Sequence, residues 1–125
     1  VYNYLKIKQE LKKRGYHFNS RTDSEVVLNA FSEWGVESIK KLNGMFAFAI
    51  WDIKKKTIYL VRDRYGIKHL YYSSAGEIII FASEQKAILQ HKAFKSRLDL
   101  EAIVEYFTFQ NICCRSKIFY SRVSA

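Results

Sequence analysis

Few side chains in this sequence have the type and spacing to do chemistry, and Asp23 comes first. It sits inside Thr22-Asp23-Ser24-Glu25, a run with the form of a helix-capping box. At the first helical position its negative charge is favoured by the helix dipole, so the residues alone assign Asp23 to starting a helix. His17, His69 and His91 have no carboxylate or cysteine at a useful spacing, and a lone histidine at a strand start, as His69 is, reads as structural. Cys113 and Cys114 are adjacent. Neighbouring cysteines pair only with strain and match no metal-ligand spacing, so they read as reduced thiols of a cytoplasmic protein. Arg62-Asp63-Arg64-Tyr65-Gly66 has the look of a catalytic loop.

The charge balance raises a different chemistry. The 125 residues carry a formal net charge of +9. The 21 Lys and Arg residues are spread from Lys6 to Arg122, with tight clusters only at Lys12-Lys13-Arg14 and Lys54-Lys55-Lys56. The first falls at an expected helix C-terminus, where cations suit the dipole, and the second in an expected hairpin loop. Both are ordinary places for solvated lysines, which predicts a basic surface with nonspecific polyanion binding at low salt and no specific nucleic-acid partner.

Composition narrows the classes further. Nine Phe, nine Tyr and two Trp are incompatible with a disordered chain. The longest apolar run, Met45 to Trp51, is far short of the roughly 20 residues that cross a bilayer, so no membrane partner is expected. Lys and Glu within the first ten residues give no sign of a secretory leader. The length fits one domain with a single continuous core.

These residues must be positioned by elements that the periodicity outlines. Tyr4, Ile7 and Leu11 recur at helical spacing before Gly15, predicting a helix over residues 3–14. A second helix is expected after Thr22, with Val27, Ala30, Phe31 and Trp34 on one face and Gly35 at its end; Val36, Ile39 and Leu42 support a further turn. The period then changes. Met45 to Trp51 alternates bulky Phe46, Phe48 and Ile50 with small Ala47 and Ala49, as expected of a strand covered on both sides. Residues 57–61, 69–72 and 77–82 read as three more strands, and the four together as an antiparallel meander. Ser83 is placed to cap a short helix through Leu89, and Asp99 a longer one in which Leu100, Ile103, Val104 and Phe107 share a face. Helices, strands and helices in that order make an α+β fold, and a sheet apolar on both faces needs a second cover, from another sheet or a partner.

Four motifs then occur in order. Gly44-Met45-Phe46-Ala47-Phe48-Ala49-Ile50-Trp51-Asp52 is followed by Arg62-Asp63-Arg64-Tyr65-Gly66-Ile67-Lys68, by Leu70-Tyr71-Tyr72 and by Phe81-Ala82-Ser83-Glu84. Together with Val1-Tyr2-Asn3 and Thr22-Asp23-Ser24-Glu25-Val26, this pattern resembles the glutaminase domain of glutamine-hydrolysing asparagine synthetases, a class II glutamine amidotransferase domain. The resemblance runs from Val1 to about residue 112, leaving 113–125 as a tail that departs from it. His69 stands where the family usually has proline. The resemblance implies an N-terminal nucleophile hydrolase fold, four layers in the order αββα, of which this chain is part. It also implies that Asp23 is the carboxylate pairing with the α-ammonium of glutamine, and that Arg62 to Gly66 build a strand-to-strand turn in which Gly66 takes an unusual backbone angle.

In that family an N-terminal cysteine is the nucleophile and its own α-amine the base. Here residue 1 is Val1, and Cys113 and Cys114 have no α-amine. The chain as given is therefore expected to be inactive alone, with no catalytic residue and no metal ligand of its own. The family's oxyanion donors and the arginine that grips the substrate carboxylate are missing as well. The intact parent would take glutamine, and would use ATP and Mg to amidate aspartate; no cofactor is expected in this chain. Two other readings stand beside this one. One is a non-catalytic scaffold built on the same partial fold, self-associating through exposed sheet edges. The other, more remote, is a basic nucleic-acid-binding domain.

Overall fold

Ile7 and Leu11, one helical turn apart, are both buried and give the first helix its inward stripe. The computed structural model describes residues 1–94 and 97–110, together with Tyr120 and Ser124. The chain divides into two units, Val1–Ile67 and Lys68–Ala125. Both mix helix with antiparallel strand pairs, so the architecture is α+β. Among the described residues no helix is long and apolar enough to cross a membrane.

In the first unit α1 spans Tyr4–Lys13, and the amides of Arg14, Gly15 and Tyr16 close it by donating to the carbonyls of Leu11 and Lys12. Helix α2, Asp23–Trp34, buries Val26 and Ala30 and leaves Val27, Phe31 and Trp34 half-buried. The inward stripe is thus centred one residue earlier than the sequence pattern places it. A short α3, Glu37–Lys41, follows, its Ser38 hydroxyl donating back to the Gly35 carbonyl at 2.6 Å. Ile7, Leu11, Val26, Ala30 and Leu42 form the core, with Trp34, Phe46 and Phe48 packed against it.

Strands β1, Ala47–Asp52, and β2, Thr57–Arg62, pair antiparallel in a register that sets Ala47 opposite Arg62 and Asp52 opposite Thr57. The bulky set of β1 faces inward, with Ile50 buried and Phe48 half-buried. The other face does not have the cover that the sequence pattern led us to expect: Ala49 is exposed and Trp51 keeps 56% of its surface in solvent. Phe31 of α2 meets Tyr59 of β2 edge to face, ring centroids 4.9 Å apart, which docks helix on hairpin.

In the second unit β3, Tyr71–Ala75, pairs antiparallel with β4, Ile78–Ala82, across a turn at Gly76. Helix α4, Gln85–Leu89, places Ile88 in a core with Phe94, against which Tyr71, Ile80 and Ala82 pack. Helix α5, Leu100–Phe109, starts as the sequence predicts, with the Asp99 carboxylate accepting from the Ala102 amide at 3.1 Å.

Four expectations need correction. The strands form two separate two-stranded sheets, β1–β2 and β3–β4, and not one four-stranded meander. After β2 comes a turn in which the amides of Tyr65 and Ile67 donate to the Asp63 carboxylate. A single core becomes two apolar clusters. Ser83 does not cap α4: Glu84 holds that position without a side-chain cap bond, its carboxylate engaged instead by Lys86 at 2.7 Å. On α5 the face expected to be buried is largely open, with Leu100, Val104 and Phe107 exposed and Ala102 buried in their stead. Cys113 and Cys114 lie outside the described residues, as does most of the 113–125 tail. Of that tail, Ser124 bonds to the backbone of Tyr72 in both directions at 2.9 Å.

Candidate functional site

Glu25 fixes the entry to α2. The Thr22 hydroxyl accepts from the Glu25 amide at a long 3.5 Å, so half of the capping box forms and forms weakly. The Glu25 carboxylate does not return to the Thr22 amide. It reaches further back and accepts from the amides of Asn19 and Ser20, at 2.9 and 2.8 Å, and from the Ser20 hydroxyl at 2.6 Å. The Thr22 amide turns to the Ser20 hydroxyl instead, at 3.3 Å. These bonds, led by that from the Ser20 hydroxyl, hold the Glu25 carboxyl below its ordinary range. The loop 19–22 is thereby tied to the helix that carries Asp23.

Asp23 follows at the first position of α2. Its Oδ2 accepts from the terminal nitrogen of Val1 at 2.7 Å, with the Val1 side chain buried and Asp23 partly open. This bond is the main reason the Asp23 carboxyl lies below its ordinary range. Partial burial opposes it, while the ammonium's charge and the amides of Asp23 and Ser24 at the helix start act with it.

The segment bearing Val1 is itself held. The Tyr2 amide donates to the Asn43 carbonyl at 2.7 Å. Asn3 bridges the same stretch from its side chain, its Oδ1 accepting from the Asn43 amide at 2.9 Å and its Nδ2 donating to the Lys41 carbonyl at 2.8 Å. Next to it the buried Asp63 links the start of β1 to the turn after β2, accepting from the amides of Phe46, Tyr65 and Ile67. In that turn Gly66 has φ +63°, and a Cβ there would lie 2.7 Å from the Arg62 guanidinium, which donates to the Gly66 carbonyl. The turn reading of residues 62–66 holds, and Gly66 has the unusual angle expected of it.

The remaining chemistry-bearing residues stay outside this constellation. The His91 ring accepts from the Ala93 amide, His69 stacks on Tyr71 and His17 is exposed. Among the described residues no group of three or more His, Cys, Asp or Glu is placed to hold a metal ion. Several cations of the basic surface are engaged within the protein. Lys8 donates to the Ser20 carbonyl, Arg14 pairs with Glu33, and Lys41 pairs with Glu10 and lies over the Trp34 ring. Asn3, Asn43 and the buried Asp63 were not singled out as site residues from sequence. Their signal was faint, being Asn and Asp beside turns, and only the fold joins positions 3 and 43.

Residues 1–125 match the family model described as glutamine amidotransferase domain. This chain belongs to that family. Curated relatives include two from Bacillus subtilis (strain 168). Its glutamine-hydrolysing asparagine synthetase 3 is 40% identical over 107 residues, 86% of this chain and 17% of the relative. Its asparagine synthetase 1 is 39% identical over 110 residues, 88% of this chain and 17% of the relative. The chain thus spans less than a fifth of the length of these relatives and matches their glutamine amidotransferase portion.

Proposed function

We propose that this chain is part of the ammonia-supplying glutaminase domain of an asparagine synthetase, and that Asp23 pairs with the α-ammonium of glutamine there. The observation that carries the reading is the place of Asp23, partly open at the first position of α2, in a chain that matches the glutamine amidotransferase family model over residues 1–125. The carboxylate is partly open and placed by the start of α2, where an amino acid's ammonium would gain a charge-assisted hydrogen bond. The amidation of aspartate, with its ATP and Mg, belongs by this reading to the rest of the parent polypeptide, which acts in the cytoplasm. The exposed faces of β1 and β4 then pack inside a four-layer αββα domain completed by that polypeptide. Their exposure in the separate chain also favours a second reading, self-association as a scaffold.

The test is Asp23→Asn in the intact synthetase. Loss of a charge-assisted bond should raise the KM for glutamine about ten- to a hundredfold, while turnover with ammonium salt supplied directly stays near wild type. An unchanged KM for glutamine would remove Asp23 from the site.

A further inference from the structure

Every polar group of Ser20 is engaged. Its amide and its hydroxyl donate to the Glu25 carboxylate at 2.8 and 2.6 Å, and its carbonyl accepts from Lys8 Nζ at 2.9 Å. The Lys8 ammonium is steadied in turn by the Phe18 ring, 4.7 Å from the ring centroid. A hydroxyl has one proton to donate, and that of Ser20 goes to the carboxylate, which can only accept. The 2.8 Å contact between the Ser20 and Thr22 hydroxyls therefore has Thr22 as its donor. The Thr22 oxygen is left to accept from the Glu25 amide at 3.5 Å, and the Ser20 oxygen accepts from the Thr22 amide at 3.3 Å. Glu25 thus sets the direction of a relay, from Thr22 to Ser20 to Glu25, that grips the residue before Asp23. None of these bonds uses the Asp23 carboxylate or a group that touches it.

We propose that Glu25 is a positioning residue of the Asp23 site: through the Ser20 and Thr22 hydroxyls it fixes the peptide that enters α2, and so the direction in which Asp23 presents its carboxylate. The proposal rests on the reading of Asp23 as the partner of glutamine's α-ammonium, and adds the residue that holds that partner in place. Side chains two positions apart on a helix point to different sides, so Glu25 acts on the amino acid through backbone and not by contact. Replacing one Glu25 oxygen by an amide nitrogen turns a donor toward the donors of Asn19 and Ser20. The relay loses its end, Thr22 gains freedom, and the Asp23 carboxylate spreads over more directions. A charge-assisted hydrogen bond to a bound ammonium weakens with that spread.

The experiment measures kcat and the KM for glutamine in the intact synthetase, as wild type, Glu25→Gln, Ser20→Ala, Asp23→Asn, and each of the first two combined with Asp23→Asn. Glu25→Gln and Ser20→Ala should each raise KM about five- to tenfold, the effect of one hydrogen bond, and change kcat less than KM. In the Asp23→Asn background either one should add less than about twofold, because the carboxylate being positioned is gone. A merely structural carboxylate would lower the amount of folded enzyme, and with it turnover from glutamine and from ammonium salt alike, leaving KM in place. If Glu25→Gln does not fold, Ser20→Ala decides, since it removes the middle of the relay and leaves the Glu25 bonds to the two amides. A KM unchanged by both Glu25→Gln and Ser20→Ala, or raised equally with and without the Asp23 carboxylate, overturns the proposal. If Asp23→Asn alone raises KM, the proposal falls and the reading of Asp23 stands. An unchanged KM in Asp23→Asn overturns that reading and the proposal with it.

Discussion

Asp63 and Phe46 hold each other from both directions: the Asp63 amide donates to the Phe46 carbonyl at 2.9 Å, and the Phe46 amide donates to the Asp63 carboxylate at 3.3 Å. The pair closes the hairpin at the end where β1 begins and β2 finishes. It also fixes where the chain leaves the Asn43–Gly44 turn, and so couples the turn after β2 to the segment beside Asp23. Asp63 is 6% exposed, and three backbone amides converge on its carboxyl group.

Asp63→Asn should therefore cost far more than a surface change of the same size. One carboxylate oxygen becomes an amide that points a donor at donors, leaving buried groups unsatisfied, which costs about 2–4 kcal/mol. Urea denaturation followed by circular dichroism measures it. A loss below about 0.5 kcal/mol, the range of surface substitutions, would show that the carboxylate is not what holds the turn.

Acidification gives the next expectation. Asp23 and Glu25 both lie below their ordinary ranges in the folded chain. Between those depressed values and the ordinary carboxylate range of about 4 the unfolded chain binds more protons than the folded one, so stability rises with pH. Their contribution is complete above that range and is lost as pH falls through the folded values. Thermal melts across this window should show a midpoint that drops steadily with acid. Glu25→Gln should flatten the drop, and a slope equal to wild type would mean that the Ser20 contacts do not survive in solution.

The residues show why some of this was legible and some not. Asp99, Thr22 and the Ile7–Leu11 stripe act through neighbours three or four positions away, so their roles are written locally. Glu25 carries a local signal too, but a flexible carboxylate had two sets of amides within reach and took the earlier one. The split of the strands into two hairpins was not legible. Short connections alone suit a meander as well as separate hairpins. At Asp23 the carboxylate and its helix position could be read, and the family resemblance pointed to an α-ammonium. The Asn3–Asn43 bond and the close packing at Gly44 join residues some forty positions apart, and no local pattern encodes that.

The 125-residue chain alone should release no ammonia from glutamine. A class II amidotransferase needs a nucleophile whose own α-amine is the base, and residue 1 of this chain has neither thiol nor hydroxyl. A coupled ammonia assay on pure protein checks this. Release above background that persists after both cysteines are alkylated would place the nucleophile elsewhere in these residues.

Association is the last expectation. On one face of the β3–β4 hairpin Tyr72 stands opposite Phe81, with Ile79 beside them, and all three are exposed, at 45%, 41% and 53%. In the first unit Trp51 lies open on β1, and α5 presents Leu100, Val104 and Phe107 along one side. Exposed apolar strand faces are templates for another chain. Covering even a few hundred Å2 of such surface is worth several kcal/mol at about 25 cal/mol per Å2, comparable to the net stability of a small domain. The separate chain should thus scatter light as oligomers at rising concentration. Ile79→Thr with Phe81→Thr should reduce that scattering, because both residues keep strand propensity while losing apolar area. Joining the polypeptide that precedes Val1 in the parent should raise the melting temperature by covering the same faces. A monodisperse monomer at every concentration, with a cooperative melt unchanged by that extension, would show that these faces need no cover.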